Sequence, residues 1–220
     1  MNSFQEYPEK IMASDTLGPR VKDEVAALKR ARILDAATEL FYDRGYANTK
    51  LDDVAEQLGV TKPFIYSHVG NKSALLGAVS SVGVSRAIAV FDEVTGMGLG
   101  PAETLRHFIP RYVAAILESQ KSIAINIREE KNLDPADAER LGALRHSFMD
   151  RVEALLGAGL RNGEIQVPDA RIAAYALVGA VSWTTFWFNP CGALSIDDIS
   201  DRMTRMFLTI ARPHDRRAAE

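Results

Sequence analysis

A chain of 220 residues with 47% apolar content is long enough to bury a sizeable core, which excludes a disordered or fibrous polypeptide. Its formal net charge of −3 excludes a uniformly basic nucleic-acid binder, though what phosphate feels is the local field, because exposed charges are screened beyond about 10 Å. One cysteine, Cys191, excludes an internal disulfide, and the opening MNSFQEYPEK lacks a basic-then-apolar leader, so the expected compartment is the cytoplasm.

Residues 1–25 mix Pro8, Gly18 and Pro19 with scattered charge and few regularly spaced apolar residues, the pattern of a flexible arm. Arg20, Lys22, Lys29, Arg30 and Arg32 make its junction with the first helix basic. From Ala27 to Arg44, the residues Ile33, Leu34, Ala37, Leu40 and Phe41 recur at helical spacing, and Gly45 follows where a left-handed C-cap belongs. Thr49 is placed to cap a short second helix carrying Leu51, Val54, Ala55 and Leu58 inward, which Gly59 stops. Thr61 then caps a third helix whose first turn tolerates Pro63. Gly70 ends that helix, and Asn71 caps a fourth running toward Val90.

Two short helices joined through a glycine, AEQLGVTKPFIYSHV, have the form of a helix-turn-helix unit. Val54, Leu58, Val60 and Ile65 supply its core, leaving Lys62, Phe64, Ser67 and His68 at or near the outer face of the third helix. The stretch TKPFIYSHVGNK at 61–72 carries two lysines, a histidine and three hydroxyls, but no carboxylate. That set complements DNA, which presents about one negative charge per 1.7 Å of duplex axis. The helix N-termini at Thr61–Lys62 and Asn71–Lys72 add free backbone N–H groups for phosphate.

Beyond residue 73 the periodicity remains helical, with GMGLGP at 96–101 as the first break. Further helices are expected near 102–118, 121–131, 136–161, 169–188 and 196–211. The most apolar segment, 173–188, contains Ser182, Thr184 and Thr185 and is shorter than the roughly 20 residues a membrane span needs, so it reads as a buried or interfacial helix and no membrane partner is expected. No strand-like alternation of useful length appears, and the fold class is all-α. A three-helix helix-turn-helix domain at 26–72 precedes a larger helical domain at 73–220.

The stretch ARILDAATELFYDRGYANTKLDDVAEQLGVTKPFIYSHVGNKSALL resembles the DNA-binding region of the TetR family of transcriptional repressors. The match lies in Leu40-Phe41, Gly45-Tyr46, Thr49, Val54-Ala55, Leu58-Gly59-Val60, Tyr66, His68, Asn71-Lys72 and Leu75-Leu76; Val69 departs from it, standing where the family usually has phenylalanine. The resemblance implies that Lys62, Pro63, Phe64 and Ser67 approach bases. Thr49, Tyr66, His68 and Lys72 then meet phosphate, with Lys50 and Thr61 beside them. For Phe64 the residues alone leave core packing open as the other reading.

The resemblance further implies a homodimer built from the last two long helices, a palindromic operator in double-stranded DNA, and a small-molecule effector that shifts the spacing of two recognition helices held about 34–36 Å apart. No cofactor or metal is implied. Tyr175, Val178, Trp187 and Phe207 are the expected dimer contacts. Phe108, Tyr112, Ile116, Ile127, Phe148 and Trp183 are the expected apolar pocket, with Ile123 and Val152 in the same stripes and Asn126, Arg128, Arg145 and His146 as polar groups to orient a ligand. A helical bundle needs such stripes for its core as well, and periodicity alone does not separate the two uses.

The tract REEKNLDPADAERLGALRHSF and the spacing Trp187, Pro190, Gly192, Ser195 resemble the subset of these repressors tied to breakdown of fatty acids, steroids or aromatic acids. For that subset an acyl-coenzyme A thioester is the implied effector, and a free aromatic or drug-like compound is the alternative. A helical enzyme acting on thioesters is the competing class. The chain has no G-x-S-x-G elbow, H-E-x-x-H pair or glycine-rich phosphate loop to support it, and its four histidines are scattered.

Overall fold

In the computed structural model, which describes residues 19–211, the chain folds into α1 (Pro19–Arg44), α2 (Leu51–Leu58), α3 (Lys62–Val69), α4 (Lys72–Thr95), α5 (Pro101–Glu118), α6 (Gln120–Glu129), α7 (Pro135–Asn162), α8 (Ala170–Trp187) and α9 (Ile196–Ile210), with a 3-10 turn at Glu130–Asn132 after α6. The described residues are all helical or irregular, as the periodicity predicts.

The first helix begins earlier than its apolar spacing suggests. Proline suits a first helical position because no intrahelical N–H bond is lost there, and α1 accordingly starts at Pro19. Most of the stretch from Val21 to Arg32 is exposed, so no buried stripe marks it in the sequence. Residues 19–25 thus belong to a helix and not to the expected arm, whose remaining residues, 1–18, lie outside those described.

Two apolar cores organise the chain. The smaller takes Ile33, Ala37, Leu40 and Phe41 from α1, Leu51, Val54 and Ala55 from α2, and Ile65 and Val69 from α3. It is completed by Leu75, Leu76 and Val79 of α4 and by Ile125 of α6. The expected boundary at 72/73 coincides with the start of α4, yet packing runs across it. The larger core is centred on α5, where Phe108 stacks on Tyr112 with ring centroids 5.1 Å apart, Phe91 meets Phe108 edge-on at 5.2 Å, and Phe148 lies 5.2 Å from Tyr112.

Among the described residues, α4 is the helix long and apolar enough to cross a membrane. Its unbroken buried run from Leu75 to Ser80, followed by Gly83, Ala87, Phe91 and Val94, makes it the core helix shared by both halves. Side-chain caps fix the later helices. Asp134 accepts from Ala136 N–H at 3.0 Å, and Asp169 accepts from Ile172 N–H at 2.7 Å. Ser195 and Asp198 cap α9 reciprocally, Asp198 N–H donating to Ser195 Oγ at 3.1 Å and Ser195 N–H to Asp198 Oδ2 at 3.0 Å. Hydrogen bonds from the Ser195 hydroxyl and N–H hold the Asp198 carboxyl below its usual range.

Candidate nucleic-acid interface and effector cavity

The α2–α3 turn depends on Gly59, whose φ of 66° is left-handed. Val60 N–H donates back to the Ala55 carbonyl at 2.9 Å, closing the turn and handing the chain to Thr61, the N-cap of α3. Ile65 and Val69 face the core, while Lys50, Thr61, Lys62, Pro63, Tyr66 and Ser67 are exposed. Arg30 of α1 closes the other end of α3 by donating to the His68 carbonyl at 2.7 Å, a cation at a helix C-terminus.

Several expected contacts take a different form. Phe64 is half-buried against the smaller core, with its ring 4.3 Å from that of His68 and the Lys29 ammonium 5.6 Å from its centroid, so packing is its main use. His68 is half-buried and its Nδ1–H donates to the Phe64 carbonyl at 2.8 Å. Ser67 Oγ donates to the same carbonyl, also at 2.8 Å.

Thr49 is fully buried, and its hydroxyl donates to the carbonyls of Gly45 at 2.9 Å and Leu40 at 3.3 Å. It therefore bonds the α1–α2 turn internally and has no path to a phosphate. The N-cap of α2 is Lys50, whose N–H donates to Asp53 Oδ2 at 2.6 Å. Lys72 is half-buried, with Nζ 4.2 Å from the Tyr46 ring centroid and donating to the Ala47 carbonyl at 3.3 Å. Burial pulls its pKa below the usual lysine value.

A cavity of about 300 Å³ opens among α4, α5, α6, α7 and α8. Tyr112, Ile116, Ile123, Asn126, Ile127, Arg145 and Phe148 line it, as the sequence suggests. Ser80, Gly83, Val84 and Ala87 of α4, Leu141 and Met149 of α7, and Ser182 of α8 line it too, and apolar periodicity did not point to them. The small-residue run GAVSSVG at 77–83 was the available signal, since small side chains on a core helix leave space or permit close approach. At Gly83 a Cβ would stand 3.0 Å from Ile123 Cγ1, so its glycine lets α6 close the wall.

Five pocket expectations are corrected. Val152 is buried in the larger core, and His146 is exposed with Nε2 3.5 Å from Asp150 Oδ2. Phe108 is wholly buried behind Tyr112, in the larger core. Arg128 lies on the other side of α6, its guanidinium 4.8 Å from the Tyr42 ring centroid of α1. Trp183 is 63% exposed and packs on Phe186 at 4.6 Å. Within the cavity, burial of Tyr112 drives its ionisation far above the ordinary tyrosine value, a shift that the Ser182 hydroxyl only partly offsets. Arg145 is exposed at the lining and has no ion pair or hydrogen bond among the described residues.

The outer side of α8 carries Ile172, Tyr175, Gly179, Trp183, Phe186 and Trp187, all exposed and at helical spacing. The expected dimer residues divide around this stripe. Tyr175 and Trp187 lie on it, at 52% and 51% exposure. Val178 instead lines the cavity, and Phe207 is half-buried against the larger core. A residue three positions from Tyr175 lands on the cavity side because α8 is wedged between two environments.

These features together define a helix-turn-helix regulator with a hollow helical domain. Residues 33–79 match the family described as bacterial regulatory proteins, tetR family, and residues 98–211 match the tetracyclin repressor-like C-terminal domain, so the chain belongs to the TetR family of DNA-binding regulators, which are not enzymes. It is similar to the transcriptional repressor KstR2 of Rhodococcus jostii (strain RHA1), with 24% identity over 190 residues, 85% of this chain and 93% of that protein. The solved structure of PfmR from Thermus thermophilus superposes with a TM-score of 0.71 at 26% identity, covering 81% of this chain and 97% of that one. AibR, in complex with isovaleryl coenzyme A and operator DNA, superposes with a TM-score of 0.64 at 27% identity and the same coverages.

Proposed function

We propose that this protein is a homodimeric repressor that binds a palindromic operator and is released when a hydrophobic effector, the acyl part of a coenzyme A thioester, enters the α4–α8 cavity. Its DNA partner puts it in the cytoplasm. The observation carrying this reading is the double duty of α6. Ile123, Asn126 and Ile127 form cavity wall, while Ile125 sits in the core beneath the DNA-reading helices. On the outside, Lys121 pairs with Glu39 of α1, and Arg128 covers Tyr42. A ligand that displaces α6 shifts α1 as well, and operator release needs only a coupling of about 1–3 kcal/mol, roughly 5- to 150-fold in affinity.

The cavity supports the ligand class by size and polarity. At about 300 Å³ it is at the small end of ligand sites and suits a short acyl chain or a single ring. Ile127, half exposed, and Arg145 stand where the remainder of a thioester emerges, and a guanidinium is the side chain best matched to phosphate oxygens. The relation to AibR, described with both isovaleryl coenzyme A and operator DNA, supports the same reading. On DNA, Lys62, Pro63 and Ser67 meet the groove, and Lys50, Thr61, Tyr66, His68 and Lys72 meet the backbone. The exposed stripe of α8, with Tyr175, Trp183 and Trp187, forms the dimer contact.

The test is fluorescence anisotropy of purified protein on the duplex flanking its own gene, with acyl-coenzyme A thioesters and free acids added. Release by a thioester, and weaker release by its free acid, is the expected result. Release by free acids alone replaces the thioester with a simple acid. Failure to bind any duplex removes the repressor reading.

A further inference from the structure

Three buried side-chain oxygens have no hydrogen-bond partner among the described residues: Ser80 Oγ, Asn126 Oδ1 and Ser200 Oγ. Two of them belong to residues lining the same cavity, Ser80 on α4 and Asn126 on α6. Ser80 is 6% exposed and Asn126 5%. Leaving such a group unpaired carries a desolvation penalty, so two on residues that line one largely apolar space mark a candidate recognition point. The other polar groups of the lining are the Tyr112 and Ser182 hydroxyls, neither of them among the unpaired buried oxygens, and the solvent-exposed Arg145.

The chain neighbours of the pair define where it sits. Val79, beside Ser80, and Ile125, beside Asn126, are buried in the core under the DNA-reading helices. Ser80 and Asn126 thus form the end of the cavity nearest that core, while Tyr112 and Phe148 belong to the larger core on the other side.

Resting on the effector reading above, we infer that Ser80 and Asn126 recognise an uncharged oxygen substituent, a hydroxyl or keto group, on the hydrocarbon body of the effector. The effector is accordingly an oxygenated acyl compound and not a plain saturated chain. Ser80 can donate to either oxygen, and the Asn126 amide can accept from a hydroxyl or, turned about its terminal torsion, donate to a keto group. A carboxylate does not fit this end, because neither residue brings positive charge and an unpaired buried anion is costly. Any anionic group of the effector belongs at Arg145.

The test uses eight-carbon acids and their coenzyme A thioesters, each plain or bearing a single hydroxyl or keto group at successive chain positions. Binding is measured by calorimetry on the full-length protein, and operator release by anisotropy. At least one oxygenated member is expected to bind about tenfold more tightly than its plain parent, the loss typical of buried polar groups left unpaired. Ser80→Ala and Asn126→Leu should bring that ratio to near one, and hydroxyl and keto compounds separate the two possible substituents. The ratio cancels any general change in protein quality. A second readout needs no ligand: removing an unpartnered buried oxygen in Ser80→Ala should raise the melting temperature, and a marked fall overturns the claim that the oxygen is orphaned. A plain chain that binds and releases operator as well as every oxygenated one overturns this inference alone. If no compound binds or releases operator, the inference falls together with the effector reading.

Discussion

The Lys62 ammonium lies 2.7 Å from Asp52 Oδ2, joining the first turn of the recognition helix α3 to the first turn of α2. Both side chains are about half exposed, and the pairing raises the pKa of Lys62. The pair explains the charge pattern around 61–72. Carboxylates are absent from α3 itself, while Asp53 holds the start of α2 and Asp52 holds Lys62 in place before DNA arrives. On DNA the lysine exchanges a carboxylate for a phosphate. Lys62→Ala should therefore weaken binding to all duplexes and lower the salt slope by about one. Asp52→Asn should do the reverse, strengthening non-specific binding roughly two- to fivefold, because an exposed competing partner is removed. Salt titrations of both variants on operator and random duplexes decide it; an unchanged slope for Lys62→Ala removes the lysine from the interface.

Thr49 provides a test that separates folding from binding. Its buried hydroxyl bonds the Gly45 and Leu40 carbonyls, so Thr49→Val keeps the volume and loses the bonds. The expected cost is about 1–2 kcal/mol in denaturant unfolding, with operator affinity at fixed salt unaltered. A marked fall in operator affinity with undiminished stability would return Thr49 to the phosphate contacts.

Helix positions and most early caps were legible in the sequence because they follow from local rules: a 3.6-residue apolar period, glycines with positive φ at 45, 59 and 70, and caps at Thr61 and Asn71, though the cap of α2 is Lys50 and not Thr49. The start of α1 was not, since a solvent-exposed half-helix has no apolar stripe to reveal it. The cavity was half legible. Tyr112, Ile116, Ile127, Arg145 and Phe148 lie on it, but Phe108, one turn before Tyr112, is buried in the larger core. Periodicity identifies a buried face without saying whether that face meets other side chains or a space between helices. Asn126 was legible as a polar pocket residue and Ser80 was not, while the unpaired oxygen on each is a property of the assembled packing.

The α8 stripe predicts assembly. Trp183 and Phe186 are 63% and 59% exposed and pack on each other, beside Tyr175 and Trp187. Large exposed aromatics in one contiguous stripe are the pattern of an interface centre, where burial of few residues carries most of the affinity. Trp183→Arg combined with Phe186→Glu should convert the dimer to monomers in sedimentation velocity while leaving the helical circular dichroism intact. Operator affinity should fall at least about tenfold, since a single reading head loses the second half-site. A variant that remains dimeric moves the interface off α8.

The outer face of α6 supplies the last test. Lys121 pairs with Glu39 and lies 5.5 Å from the Tyr42 ring centroid, while Arg128 covers the same ring at 4.8 Å. Gln120, at the start of the helix, donates to the Thr185 carbonyl at 2.7 Å and the Phe188 carbonyl at 3.0 Å, tying it to the end of α8. One short helix is thus held by α1 on one side and α8 on another, with the cavity against a third. Arg128→Ala and Lys121→Ala touch neither the cavity lining nor α3, so effector-free DNA binding should be retained and the effector should bind with little change. The link between the two sites should weaken instead: loss of about 1 kcal/mol of coupling reduces the effector's leverage on operator affinity roughly fivefold. Operator titrations with and without saturating effector measure that leverage in wild type and in the double variant. Equal leverage in both places the transmission elsewhere, with α4, the core helix shared by the cavity and the reader, as the remaining physical route.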